Sequence, residues 1–413
     1  MRFPVLLTPL LTGAAFCVFS FCATVNGAGL QWSAVIAALD STSPALSESR
    51  SRLAEAQAVY EAARALPNPS VSFELQNLKN NSVSEKEQSV GVHQSLGFLW
   101  SRNFEVAASL AKFQSEQAAL DEAQGKITAE LILAIVTMHN LIEQQNLLDS
   151  VIVAASRAKL AMDARLREGD VSEYDAQRME AEMVEVEFRK LELDNEQRDI
   201  EQRLVNLTGL KIEILRELPA PVLSEPVFSD VQTALEFASK NRQKLNMTQM
   251  QTTSARRSLQ AANKRQLPDF GVGIAKKIAD PDWSGYVLEA EIEIPIWGRR
   301  TAARRLAQVN YAEAQRARSV TEISVIGEVT AAMDRWLRAA RLTASPRIYG
   351  INDALTGLNR GVRLYETGEF GALELVDALR TSMDALAASQ KLQTESLAAN
   401  LELRRVTGLT ILE

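Results

Sequence analysis

The chain is 413 residues long, 46% hydrophobic but only 6% aromatic, with a formal net charge of −7. Ala, Leu, Glu, Arg and Gln dominate, a balance that suits long helices better than a compact mixed core, and the acidic excess argues against a nucleic-acid partner, which wants a basic face. The only two cysteines, Cys17 and Cys22, lie within the first 29 residues, so a processed chain carries no disulfide framework, thiol nucleophile or Cys-ligated metal.

Residues 1–29 read as a targeting segment. Arg2 supplies a positive start, Val5 to Phe21 is apolar, and Val25-Asn26-Gly27-Ala28 places cleavage after Gly27, making 1–27 a signal peptide. Cys17 and Cys22 follow Phe16 and Phe21, where a lipid-attachment site wants a small residue, so no N-terminal lipid is expected. No later stretch reaches the 18 or more apolar residues of a membrane helix.

Helical composition from about Ala45 stops at Pro67 and Pro69. Val71, Phe73 and Leu75 then alternate with Ser70, Ser72, Glu74 and Gln76, which predicts a strand over about 69–77 with one apolar face. The polar stretch NLKNNSVSEKEQ predicts a loop. Beyond it Val90, Val92, Leu96 and Phe98 alternate with Ser89, Gly91, His93 and Ser95, a second strand over about 88–98. From Arg102 to Arg165 there is no proline and one glycine, Gly125, and Leu131, Ile135, Met138 and Ile142 recur at helical steps. At ~1.5 Å per residue this helix spans roughly 96 Å. It breaks at Gly169, and a further helix runs to LTGL at Leu207–Leu210. Pro219, Pro221 and Pro226 make 211–228 an extended link.

The chain then writes the same plan again. LPDFGVGIAK at Leu267 answers LPNPSVSFEL at Leu66, IWGR at Ile296–Arg299 answers LWSR at Leu99–Arg102, and VTGL at Val406–Leu409 answers LTGL. Gly368 stands 199 residues after Gly169, and Glu374 stands 199 after Asp175. Two repeats follow, 28–210 and 229–413, each reading helix, strand, strand, long helix, break, helix. The second-repeat strands are expected at about 269–277 and 285–296, the latter from Tyr286, Leu288, Ala290, Ile292, Ile294 and Ile296 against Glu289, Glu291 and Glu293. Pro346 should kink the long helix between Arg299 and Tyr365.

Four strands with one apolar face, one polar face and free edges cannot close a barrel alone. They fit an outer-membrane barrel completed by oligomerisation, three chains giving 12 strands, and Trp100 and Trp297 at the strand-to-helix junctions favour a membrane boundary. A soluble hairpin cap on a coiled coil fits the alternation equally.

In this order, twice, these motifs resemble the TolC family of outer-membrane efflux factors over essentially the whole processed chain. The resemblance implies a mainly α fold with a small β part: a trimeric 12-stranded β-barrel in the outer membrane of a Gram-negative bacterium, continued by a long periplasmic α-helical barrel. It implies a passive exit duct, not an enzyme, with no cofactor and no resident metal. The implied partners are two further copies of the chain, outer-membrane lipid, a periplasmic adaptor and an inner-membrane pump of the RND type. The adaptor-contact turns would be Gly169, Asp170, Val171 and Gly368, Glu369, Phe370. The periplasmic gate would be Asp175, Arg178, Glu374 and Asp377. Glu374 and Asp377 share a helix face, and threefold repetition makes them a ring. Arg178 departs from the family pattern, which wants an acid or amide there, and is placed to form a salt bridge that locks the gate.

The barrel lumen is expected to be lined by Glu74, His93, Glu289, Glu291 and Glu293, with Lys276 and Lys277 neutralising part of that charge. The short length and plain helices further resemble the CzcC-like branch, associated with export of divalent heavy-metal cations, while the nine scattered methionines form no thioether ladder. The competing reading is a periplasmic or secreted coiled-coil scaffold or adaptor without a channel. An adaptor would carry a lipoyl-like β-domain between its helices, a block this sequence does not contain. Catalysis has little to stand on: His93 and His139 are the only histidines, and no nucleophile elbow, phosphate loop or ligand cluster accompanies them.

Overall fold

A computed structural model describes residues 32–79, 84–221, 223–226, 228–279, 283–294, 297–343 and 351–411. The expected signal peptide, with both cysteines, and the expected kink at Pro346 lie outside them.

The first repeat consists of α1 (Trp32–Thr42), a 3-10 turn (Pro44–Leu46), α2 (Ser47–Arg64), β1 (Ser70–Lys79), β2 (Ser84–Ser95), α3 (Phe98–Glu168) and α4 (Glu173–Thr208). After a single helical turn, α5 (Ile212–Arg216), the second repeat follows: α6 (Val231–Asn241), α7 (Gln243–Lys264), β3 (Asp269–Ala279), β4 (Trp283–Glu293), α8 (Arg299–Thr343), α9 (Ile351–Thr367) and α10 (Ala372–Thr407). At 71 residues, α3 spans roughly 106 Å.

Several boundaries differ from expectation for physical reasons. The polar stretch after Gln76 is mostly strand, paired Asn77↔Lys86 and Lys79↔Ser84, because a two-stranded ladder satisfies its own backbone whatever the side chains are. Leu96 and Phe98 continue the alternation but not the strand. The Leu96 N–H donates to the Phe270 carbonyl at 2.7 Å, and Gly97 opens α3. In the same way β4 ends at Glu293 rather than 296. The link 211–228 is not wholly extended, since α5 buries Leu215. One 18-residue window of α3 does reach a mean hydropathy of 1.3, but half of it is buried inside the chain, the mark of a core helix.

The sheet is antiparallel in the order β1-β2-β3-β4. The helices beside it pack in the matching order α2-α3-α7-α8. The free edges therefore coincide at both levels, α2 with β1 on one side and α8 with β4 on the other.

The repeated Thr-Gly near each C-terminus has a steric cause. Thr208 and Thr407 are buried and donate to the Leu204 and Leu403 carbonyls at 2.8 and 2.7 Å. The glycines after them sit at φ +69° and +77°, in left-handed helix caps. A Cβ on Gly209 would lie 2.7 Å from the Thr42 carbonyl oxygen, and one on Gly408 would lie 2.6 Å from that of Asn241. Each repeat thus presses its last helix against its first.

Beside the second contact Arg242, its side chain 2% exposed, pairs with Glu122 at 2.9 Å and Glu328 at 3.4 Å, and it donates to the Arg405 carbonyl. This cluster ties α3, α7, α8 and α10 together at mid-height. Desolvation lowers the Arg242 pKa against the opposing pull of Glu122.

Candidate channel wall and helical turns

The pairing register sorts the sheet residues into two faces. Val71, Phe73 and Leu75 share a face with Val90, Val92, Val272, Ile274, Tyr286, Leu288 and Ile292. This face is bare in the single chain: Phe73 is 68% exposed and Leu288 83%.

The other face carries Glu74, His93, Glu289, Glu291 and Glu293 together with Ser70, Ser72, Ser89 and Ser95, so the expected lumen set does assemble on one surface. His93 lies over Gly271, where an added Cβ would meet the ring at 2.4 Å, and its Nε2 is 3.4 Å from the Glu291 carboxylate. Glu293 pairs with Arg300 at 2.9 Å. Lys277 is on this face but is held by Glu87 at 2.6 Å. Lys276 is not: it pairs in register with Val90 and Tyr286, on the apolar face. The alternation already demanded this, since 276 has the parity of Val272 and Ile274.

Toward the helices the polar face continues into an open cavity of about 880 Å³ lined by Ser95, Lys112, Ser254, Ser258, Asp269 and Arg300 among others. Asp269 accepts from Ser95 at 3.2 Å and sits where a Cβ on Gly97 would be, 2.0 Å away. That close approach explains a glycine at the opening of α3.

At the opposite end both helical breaks are real. Gly169 and Gly368 adopt φ +83° and +85°, and the Asp170 and Glu369 N–H groups donate 2.9 Å bonds back to the Arg165 and Leu364 carbonyls. Asp170 and Glu369 are exposed, but Val171 and Phe370 are half-buried and pack on the core of the helical hairpins. Only the outer residues of each turn are presented outward.

The acids beyond the turns have a local role that explains their spacing. Ser172 opens α4, accepts the Asp175 N–H at 3.1 Å and donates to its carboxylate at 2.7 Å. Glu374 stands at the same third position of α10, its carboxylate oxygen 2.6 Å from where a Cβ on Gly371 would be. Both are acids at helix starts, favoured by capping and the helix dipole. Asp377 is exposed one turn further along α10. Arg178 forms no ion pair among the described residues, so the expected salt bridge is not made within one chain.

The contacts that join the two repeats here were not foreseen. The Arg165 guanidinium lies over the Tyr365 ring at 4.8 Å, and Tyr365 is fully buried. Burial raises the Tyr365 pKa against the opposing charge of Arg165. Arg157 pairs with Glu366 at 2.8 Å, and Arg380 pairs with the nearly buried Glu182. All three link α3 or α4 to α9 or α10. Arg165 and Tyr365 do flank the glycine breaks, four and three residues before them, but that proximity alone does not say they touch.

A family model described as outer membrane efflux protein matches residues 35–210 and again 234–409. Solved structures with similar folds include the outer membrane protein VceC of Vibrio cholerae, at 15% identity and a TM-score of 0.75 over 92% of this chain and 96% of that one. The open state of the MtrE outer membrane channel of Neisseria gonorrhoeae is 16% identical, with a TM-score of 0.71 over 92% and 89%. CusC, described as forming a transmembrane channel, is 16% identical with a TM-score of 0.73 over 91% of each chain. No curated relative matches the sequence.

Proposed function

Because this chain belongs to the outer membrane efflux protein family, whose model spans both of its repeats, we propose that it is the passive exit duct of a tripartite efflux system, three copies closing one channel. The observation that carries the reading is the coincidence of free edges. β1 and α2 end one side of the chain while β4 and α8 end the other, so one rotation pairs strands and helices together and abolishes every edge. Along α8 the exposed Leu306, Val309, Val320 and Ile323 recur at helical spacing as the stripe such a neighbour would cover. Depth along the helices pairs Val309 with Ala54 of α2, each ten residues from the sheet-side end of its helix.

The test is ring closure. Cysteines at Val309 and Ala54, the only ones in the processed chain, should oxidise in cells to covalent trimers in the outer-membrane fraction. Recovery of a soluble monomer would overturn the duct in favour of a coiled-coil scaffold.

In the closed ring the apolar sheet face meets lipid, since a charge there costs ~2–4 kcal/mol near the midplane, and Glu289, Glu291 and Glu293 line the lumen. The turns at Asp170 and Glu369 meet the helical tips of a periplasmic adaptor, and the adaptor engages an inner-membrane pump of the RND type. Asp175, Glu374 and Asp377 ring the far end as its gate. The acidic lumen and the resemblance to the CzcC-like branch together support divalent heavy-metal cations as cargo. Deleting the gene should raise cellular zinc, cadmium or cobalt, and unchanged metal content with raised drug sensitivity would replace that cargo by organic molecules.

A further inference from the structure

The apolar sheet face ends, toward the helices, in an open groove of about 560 Å³. Its walls include Trp100, Leu267, Pro268, Phe270 and Ile292, with Glu291 of the opposite sheet face also reaching its edge, and the rings of Trp100 and Phe270 are 5.9 Å apart. Ile294 and Trp297, 66% and 84% exposed, follow directly after β4.

Immediately beyond this rim the surface becomes cationic. Arg300 donates to the Leu267 carbonyl at 2.8 Å and pairs with Glu293, which fastens α8 beneath the groove. Arg304 lies one turn further along the same side of α8, roughly 6 Å away along the axis. That side of α8 continues through Tyr311 and Gln315, which border Arg256 of α7. Ala303 and Arg300 line the cavity below the acidic sheet face, whereas Arg304, Tyr311 and Gln315 do not. Arg304 and Arg256 are exposed and have no ion-pair partner among the described residues, whereas neighbouring Arg265 is held by Glu105 and Lys244 by Glu328. Arg305 and Arg316 are also exposed and unpaired, but they belong to the α8 edge that closes the ring.

We propose that this groove and these two arginines form a binding site for an anionic phospholipid of the inner leaflet of the outer membrane, an acyl chain lying against Trp100 and Phe270 and the phosphate held by Arg304 and Arg256. The assignment rests on the duct reading, which places the sheet in the bilayer. The occupant follows from the order of the chemistry along the molecule: an apolar slot followed at about one helical turn by the unpaired Arg304 guanidinium, and about two turns further by that of Arg256, is complementary to a tail followed by an anionic head. Lipids of the outer leaflet are excluded because the groove is at the helical end of the sheet. Each basic residue beside an anionic surface contributes roughly fivefold to binding, and screening by salt reduces the pair to roughly tenfold.

The purified protein is reconstituted in vesicles of phosphatidylglycerol and phosphatidylcholine at equal mole fraction, floated, gently extracted, and its retained lipids are counted by native mass spectrometry. Wild type should keep phosphatidylglycerol over phosphatidylcholine by roughly tenfold. The exposed double variant R256Q/R304Q should float equally well and lose most of that preference, and Trp100→Ala should reduce retention of both lipids. Flotation without any preference in wild type, or a preference unchanged in R256Q/R304Q, would overturn the site and leave the duct standing. Retention unaffected by Trp100→Ala would overturn the groove's part in it. Failure to float would overturn the duct as well.

Discussion

Gly408 and Gly169 share one backbone conformation in different surroundings, so alanine at each separates strain from collision. Both adopt left-handed φ values, +77° and +83°, and an L residue there costs roughly 1–2 kcal/mol. A Cβ on Gly169 meets nothing within 4 Å, so Gly169→Ala should cost only that. A Cβ on Gly408 meets the Asn241 carbonyl oxygen at 2.6 Å and the Arg242 amide nitrogen at 3.1 Å. Those are backbone atoms, which cannot rotate away. Relieving them moves the α6–α7 junction and with it the paired Arg242, adding ~1–3 kcal/mol of overpacking. Gly408→Ala should therefore cost roughly 2–5 kcal/mol in all. Inactivation half-lives of the detergent-solubilised protein at one elevated temperature order the variants, with Gly408→Ala far shorter-lived than Gly169→Ala and the latter between it and wild type. Equal half-lives for the two would refute the argument that packing between the repeats, rather than the turn itself, selects this glycine.

Arg242→Ala should destabilise the chain by ~1–3 kcal/mol, because it removes a nearly buried guanidinium bonded to Glu122, Glu328 and the Arg405 carbonyl, while those acids keep Arg405 and Lys244 beside them; chemical denaturation should show the loss, and Arg242→Met together with Glu328→Gln should recover part of it. Burial works against the charged form of Glu328, but hydrogen bonds from Lys244 and Ser324 prevail and lower its pKa below 4.5. A depressed folded pKa contributes stability that is complete above the unfolded value and lost as pH falls through the folded one; Glu328→Gln should flatten that acid limb in thermal melts taken below pH 4.5, and an unaltered limb would assign the acid sensitivity elsewhere. Replacing Glu289, Glu291 and Glu293 by Gln should abolish a cation preference measured as a reversal potential in asymmetric KCl at low salt, since Lys277 is engaged by Glu87 and Lys276 faces away; an unchanged reversal potential would remove those carboxylates from the lumen. Glu374→Ala with Asp377→Ala should raise single-channel conductance, whereas Asp175→Ala should in addition cost ~1 kcal/mol through loss of its bond with Ser172; conductance unmoved by all three would leave these acids as helix starts alone.

The repeat, the two hairpins, their polar and apolar faces and both glycine breaks were legible in the sequence, because each is set by short-range physics. Alternation decides which face a strand side chain takes, proline ends helices, and glycine alone enters the left-handed region without strain. Even the outward placement of Lys276 was written in that alternation, although its charge invited the opposite assignment. The boundaries at 77–88 and 96–98 were not legible, since ladder pairing and helix entry depend on what lies opposite in space. The long helices carry no single apolar stripe from end to end, because α3 packs in succession against α2, α7, α4, α9 and α10, so the buried side changes with height. For the same reason Arg165 over Tyr365, and Arg242 between Glu122 and Glu328, depend on residues brought together from distant parts of the chain. Sequence alone determined the parts and their duplication, through forces acting over a few residues. Only the tertiary structure decided which charges are paired and which, like Arg256 and Arg304, are left facing outward, because that depends on the packing of helices far apart in the chain.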